Sequence, residues 1–216
     1  DDLQTYLNEI KTLCNETQSS VISKKEMMEI LKKVTTPITH KNCAEVLKAN
    51  EQQSGIYKLD REVPELKEFK VYCQFDEDTP DQPWTVIQRR LNGQTDFFRK
   101  WNEYKSGFGD MNSEFWLGLD QIHSLTAEKP HTLRIKLVDF NDEINWVYYD
   151  NFKIDGESNN YKLTSLGDFS GTDENALDYH LNEMFTTIDR DNDASKTVNC
   201  AELYRGGWWY AKCHDR

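Results

Sequence analysis

Three aspartates at alternate positions, Asp189-Arg-Asp191-Asn-Asp193, stand just ahead of a short stretch bounded by Cys200 and Cys213 and followed by His214. Carboxylates in this pattern suit a hard cation such as calcium, which takes six to eight oxygen ligands. An EF-hand would need glycine at the sixth loop position and glutamate at the twelfth. Counted from Asp189, those places hold Ala194 and Cys200, so the cluster is not an EF-hand. The stretch between the cysteines mixes Gly206 and Gly207 with Tyr204, Trp208, Trp209 and Tyr210, which suits a shaped surface loop. The acids and the loop together point to a cation-supported binding site. Catalysis finds little support: His40, His123, His131, His180 and His214 are scattered, and no serine-elbow, His-Glu-x-x-His or phosphate-loop motif is present.

The chain has 216 residues and a formal net charge of −12, which argues against a nucleic-acid partner. Its aromatic content of 12% is that of a folding chain, and no apolar run is long enough to span a membrane. The five cysteines lack Cys-x-x-Cys spacing, so a zinc ribbon is unsupported. Cys200 and Cys213 close a short loop, worth roughly 3 kcal/mol if oxidised. Cys43 and Cys73 could close a longer one, leaving Cys14 as a candidate for an interchain bridge in an oxidising compartment. The alternative is five reduced thiols in a cytosolic protein. Asn15-Glu-Thr17 is a candidate glycosylation site.

Those features need elements to hold them. Residues 1–40 contain no Trp or Gly and space Leu3, Leu7, Ile10, Leu13, then Met27, Leu31 and Val34, at helical intervals. They read as a short, broken helical stalk or coiled-coil end through which copies would associate; a lone amphipathic helix is the alternative. From residue 41 to 216 the texture is globular. Strands are expected near residues 54–59, 69–75, 84–90, 132–140 and 146–154, and a helix over 97–107. The C-terminal third is turn-rich. This is a mixed α+β architecture.

Trp84-Thr-Val-Ile-Gln-Arg-Arg, the run from Phe97 to Gly109, and the run from Glu114 to Thr126 resemble the fibrinogen-related domain family. So do Leu133-Arg-Ile-Lys-Leu, Tyr161-Lys-Leu, Gly167-Asp-Phe-Ser-Gly171 and Phe185-Thr-Thr. The resemblance implies a fibrinogen C-terminal-like fold: a small N-terminal subdomain, a central twisted mixed sheet with helices, and a loop-rich C-terminal subdomain for calcium and ligand. It implies disulfides Cys43–Cys73 and Cys200–Cys213 and an extracellular, secreted setting. Structural calcium would take side chains from Asp191 and Asp193 and backbone carbonyls at Ser195 and Thr197. Tyr204 and His214 would line a pocket for acetylated groups, as in ficolin- and tachylectin-type lectins, while Trp208 and Trp209 are expected in the core. A cis peptide is implied between Lys212 and Cys213.

The resembled domains continue beyond the position of His214, here followed only by Asp215 and Arg216. The final segment of the domain, with part of the pocket wall, is therefore expected to be missing from this sequence. The function implied is non-catalytic recognition of acetylated or related glycans in a calcium-supported pocket, of the kind used in innate recognition. The alternative is a receptor-binding or matrix module of the angiopoietin-like or tenascin-like kind, whose partner is a cell-surface protein.

Overall fold

The disulfide between Cys43 and Cys73 joins the first helix to the second strand, and both cysteines are buried. Around it a computed structural model describes residues 40–49, 53–61, 68–76 and 79–214. The stalk expectation, Cys14 and Asn15 lie outside these residues. Helix α1 (Cys43–Lys48) starts where the Asn42 side chain accepts the Glu45 amide, the usual task of an N-cap. It is followed by β1 (Gly55–Leu59) and β2 (Phe69–Gln74). Strand β2 alternates as its sequence implies, burying Phe69, Val71 and Cys73.

The segment expected as one strand over 84–90 is divided between two sheets. Strand β3 (Trp84–Val86) pairs with β2, whereas β4 (Gln88–Arg89) pairs with β6 (Phe115–Trp116). Ile87 at the break accepts the Leu117 amide, so no backbone bond is forfeited there. The helix expected over 97–107 is shorter, α2 (Trp101–Ser106). Its start is delayed because the Phe98 amide bonds the Asp96 side chain and the Phe97 carbonyl accepts the Tyr104 hydroxyl. Then come β5 (Phe108–Gly109) and α3 (Leu119–Thr126). A Cβ on Gly107, at φ +94°, would lie 2.4 Å from the Leu117 carbonyl oxygen, so only glycine lets these segments approach.

The long hairpin β7 (His131–Val138) and β8 (Ile144–Ile154) carries β10 (Phe169–Gly171) and β9 (Leu163–Ser165) along β8. Its inner face packs Val147, Tyr149 and Phe152 into a core shared with Trp101, Tyr104, Trp116, Phe185 and Trp209. On its outer face the Arg134 guanidinium lies 3.6 Å from the Trp146 ring centroid and 4.9 Å from that of Trp84. That stacking ties the hairpin to the β1–β2–β3 sheet. After β10 the described residues make one 3₁₀ turn, Leu177–His180, and one short helix, α4 (Cys200–Leu203), as the turn-rich composition implied.

One buried carboxylate organises the loop between β4 and α2. Glu114, fully buried, accepts the amides of Leu91, Asn92, Gly93 and Thr95 at 2.7–3.0 Å. These backbone bonds favour its charged form and hold its pKa down to about 2, against 4.5 for a free glutamate. A depressed acid stabilises the fold above the unfolded value and ceases to do so as pH falls through the folded one. Thermal midpoints of the chain should therefore fall between pH 4.5 and 2 in part through Glu114. The Glu114→Gln chain should be less stable at pH 7 and show a shallower decline. An equal decline in both would show that Glu114 is not a source of the acid sensitivity.

Candidate functional site

Asp189, Asp191 and Asp193 have separate tasks. The Asp189 carboxylate accepts the Trp101 amide, the first residue of α2, and the Thr187 hydroxyl, each at 2.8 Å. It is therefore spent on a helix N-terminus, where an anion is favoured. Arg190 lies flat over the Trp101 ring, 4.0 Å from its centroid, and donates to the Asn160 side chain at 2.7 Å. These two contacts fasten the acidic loop to the body of the domain.

Asp191 is exposed and Asp193 half-buried. The Asp193 amide lies 3.4 Å from Asp191 Oδ1, and the Asp191 carboxylate is close enough to act on that of Asp193. Asp193 Oδ1 accepts the Ser195 amide and its Oδ2 the Cys200 amide, both at 2.8 Å. Burial pushes the Asp193 carboxyl above its ordinary range; the two amides oppose that, and Asp191 adds to it. Burial likewise raises Glu183; the Lys162 ammonium opposes that, and Asp193 adds to it. Calcium would offset this like-charge crowding. Among the described residues no three His, Cys, Asp or Glu side chains gather as a metal cluster. A hard cation here would therefore draw side-chain oxygen from Asp191 and Asp193 and the remainder from carbonyls and water. The Ser195 and Thr197 carbonyls lie in the same loop. The residues present fit that donor chemistry.

The acidic loop and the cysteine loop are one hydrogen-bonded unit. Besides the Asp193–Cys200 bond, the Ala194 amide donates to the Ala211 carbonyl at 3.0 Å, and Thr186 and Trp208 exchange backbone bonds. Asn199 caps α4 through the Ala201 and Glu202 amides and donates to the Thr187 carbonyl. Cys200 and Cys213 are joined, and both are buried.

On this unit the structure brings together the expected pocket residues. The Tyr204 and His214 rings meet edge to face with centroids 4.2 Å apart. Tyr204 is 46% exposed and stacks on Tyr210, centroids 6.2 Å apart. Trp209 is core as expected, donating its indole N–H to the Tyr161 carbonyl at 2.7 Å. Trp208 is half-buried and packs against both the main core and the disulfide cluster.

Sequence reading missed His180. It is buried, donates from Nδ1 to the Trp209 carbonyl and sits edge-on to Trp208. Burial lowers its pKa, and proximity to His214 lowers it further. No spacing in the sequence pairs residue 180 with residue 214. Asn199 was missed as well, although asparagine just ahead of a short helix is an N-cap signal that could have found it. One expectation is corrected. The Lys212–Cys213 peptide is trans, and no cis bond occurs among the described residues. The chain turns instead by placing Cys213 at φ +59°, a conformation costing less than a non-proline cis bond.

Fibrinogen beta and gamma chains, C-terminal globular domain, is the family whose description matches residues 39–216. The chain belongs to it. Mouse tenascin-R is 43% identical over 173 residues, covering 80% of this chain and 12% of tenascin-R. Human ficolin-3 is 43% identical over 175 residues, covering 81% of this chain and 56% of ficolin-3. The chain thus spans well under two thirds of these relatives. Among solved structures, the fibrinogen-like globe domain of human ANGPTL2 superposes with a TM-score of 0.74 at 36% identity, over 81% of this chain and 79% of that one. Lamprey fibrin D-dimer, complexed with the peptide Gly-His-Arg-Pro-amide, gives 0.75 at 31% identity, over 99% and 69%. The fold is a fibrinogen-like globular domain, shared by ficolin, tenascin and angiopoietin-like proteins.

In this fibrinogen-like domain the two tryptophans should separate in energy. Trp209→Ala removes a fully packed ring and should cost about 3–5 kcal/mol of stability. Trp208→Ala, at a half-buried site, should cost clearly less, as read by urea unfolding. Equal costs would show that Trp208 is as much a part of the core as Trp209.

Proposed function

We propose that this fibrinogen-like domain is a non-catalytic, extracellular recognition module that binds acetylated or related glycans in a calcium-supported pocket. The observation that carries the reading is the exposed Tyr204–His214 pair on a loop hydrogen-bonded to the Asp193 carboxylate. An acetyl methyl group would pack on the Tyr204 ring, and an imidazole N–H of His214 would donate to the acetyl carbonyl. Asp191, Asp193 and the carbonyls of Ser195 and Thr197 would hold calcium, which supplies positive charge between the crowded carboxylates. That charge steadies the loop bearing Cys200 rather than touching the ligand. Disulfides at Cys43–Cys73 and Cys200–Cys213 support an oxidising setting. Association through residues 1–40 and Cys14 would raise the avidity of weak single sites.

A second reading has its own support. Val198, Leu203 and Tyr204 expose 45%, 57% and 46% of their surfaces, apolar area of the kind that marks protein contacts. A receptor or matrix protein is the alternative partner.

Retention on an N-acetylated resin separates the readings. The chain should bind in millimolar calcium and elute with free acetylated sugar or with excess chelator, while its circular dichroism stays native. Tyr204→Ala and His214→Ala should each weaken binding roughly tenfold, the loss of about one good contact. Binding that persists in excess chelator would refute the supporting role of calcium. A resin that never retains the chain in calcium would favour the protein-binding reading.

A further inference from the structure

The loop that Glu114 organises contains Asn92-Gly93, a pair with chemistry of its own. A glycine after asparagine leaves its backbone nitrogen free to attack the asparagine side-chain carbon. In that step the Gly93 nitrogen loses its proton and bonds to Asn92 Cγ. The Cγ–Nδ2 bond breaks and ammonia leaves, closing a succinimide ring. Water then opens the ring at either carbonyl, giving aspartate or isoaspartate. Asn92 is exposed, Gly93 sits at φ +76°, and nothing lies within 4 Å of where a Cβ on Gly93 would be. Steric hindrance is therefore not what protects the bond.

We propose that Asn92-Gly93 is a self-modification site which the fold keeps closed, with the Glu114 carboxylate as its latch. Three contacts carry the inference. The attacking group, the Gly93 N–H, is donated to Glu114 Oε1 at 2.9 Å, and a proton held by a buried anion is hard to remove. The Asn92 amide bonds the same oxygen at 3.0 Å, which fixes the backbone on the other side of the scissile geometry. The Asn92 side-chain oxygen accepts the Gln94 amide at 3.1 Å, which anchors the carbonyl that would be attacked. Glu114 itself is held further by the Leu91 amide on the same Oε1 and by the Thr95 amide on Oε2.

Conversion would have a structural consequence. Isoaspartate lengthens the backbone by one methylene, so the four amides could no longer converge on one carboxylate. The loop leads directly to Phe97, whose carbonyl holds the Tyr104 hydroxyl at 2.7 Å. That hydroxyl accepts the Gly207 amide at 2.9 Å. The latch therefore stands two side-chain contacts away from the turn between Tyr204 and Trp208.

The test is peptide mapping by mass spectrometry after incubation at neutral pH and 37 °C, scoring aspartate and isoaspartate at position 92. A synthetic peptide spanning residues 89–96 should convert steadily while the folded chain keeps Asn92. Folded Glu114→Gln should convert roughly tenfold or more faster than wild type. Gly93→Ala in that background should suppress the gain. If Glu114→Gln does not fold, Glu114→Asp, whose carboxylate falls short of the amides, carries the same expectation. Wild type converting at the peptide's rate would overturn the proposal, as would a folded Glu114 variant no faster than wild type. So would Ile122→Ala, tuned by temperature to equal stability with Glu114 intact, if it converted as fast as the Glu114 variant.

Discussion

The grip of Asp193 on the Cys200 amide is the contact on which the segment after β10 depends. This region has one four-residue helix and few ladder bonds, so its shape cannot come from regular secondary structure. It comes from side chains that accept backbone amides. Asp193 closes one turn onto Ser195 and simultaneously fixes the start of α4, while the disulfide holds the end of the cysteine loop to the same point. A carboxylate in that position carries a cost, because it is partly desolvated and lies near Asp191. A cation bound at this loop, as proposed, would offset the same cost.

A division of labour among acids runs through the molecule. Glu114 and Asp189 are structural: Glu114 accepts four backbone amides, and Asp189 accepts the Trp101 amide and the Thr187 hydroxyl. Glu157 receives the Trp101 indole and the Lys105 ammonium and, with Arg190 nearby, braces the base of the acidic loop. At Asp193, by contrast, burial and the neighbouring Asp191 both raise the carboxyl. In a chain of net charge −12, acid count alone says nothing about function; the partners of each carboxylate decide its role.

The family and the strands around residues 55–59, 69–74 and 131–154 were legible in the sequence, as was the nearness of Tyr204 to His214. Alternating burial wrote β2, and long ordered motifs wrote the family. The division of residues 84–90 between two sheets was not legible, because Trp84 to Arg89 has the same β-rich composition throughout and only the partners differ. The late start of α2 was hidden because the competing bonds come from Asp96 nearby and from Tyr104 and Asp189 farther along. The disulfide pairing needed the resemblance; spacing alone left it open. His180 was out of reach, since its place beside Trp208 and Trp209 is set by tertiary packing. The turn at Cys213 took a left-handed conformation where a cis bond was implied, a choice that neither residue type nor spacing announces.

The central claim is that the acidic loop and the aromatic loop respond as one unit because Asp193 bonds Cys200 and Ala194 bonds Ala211. Amide hydrogen exchange, followed residue by residue as calcium is added, reads this directly. Slower exchange should appear at Ala194, Ser195 and Cys200 and extend across residues 204–213 in the same titration, with one apparent affinity. Protection confined to residues 191–197, with residues 204–213 unchanged at saturating calcium, would contradict it.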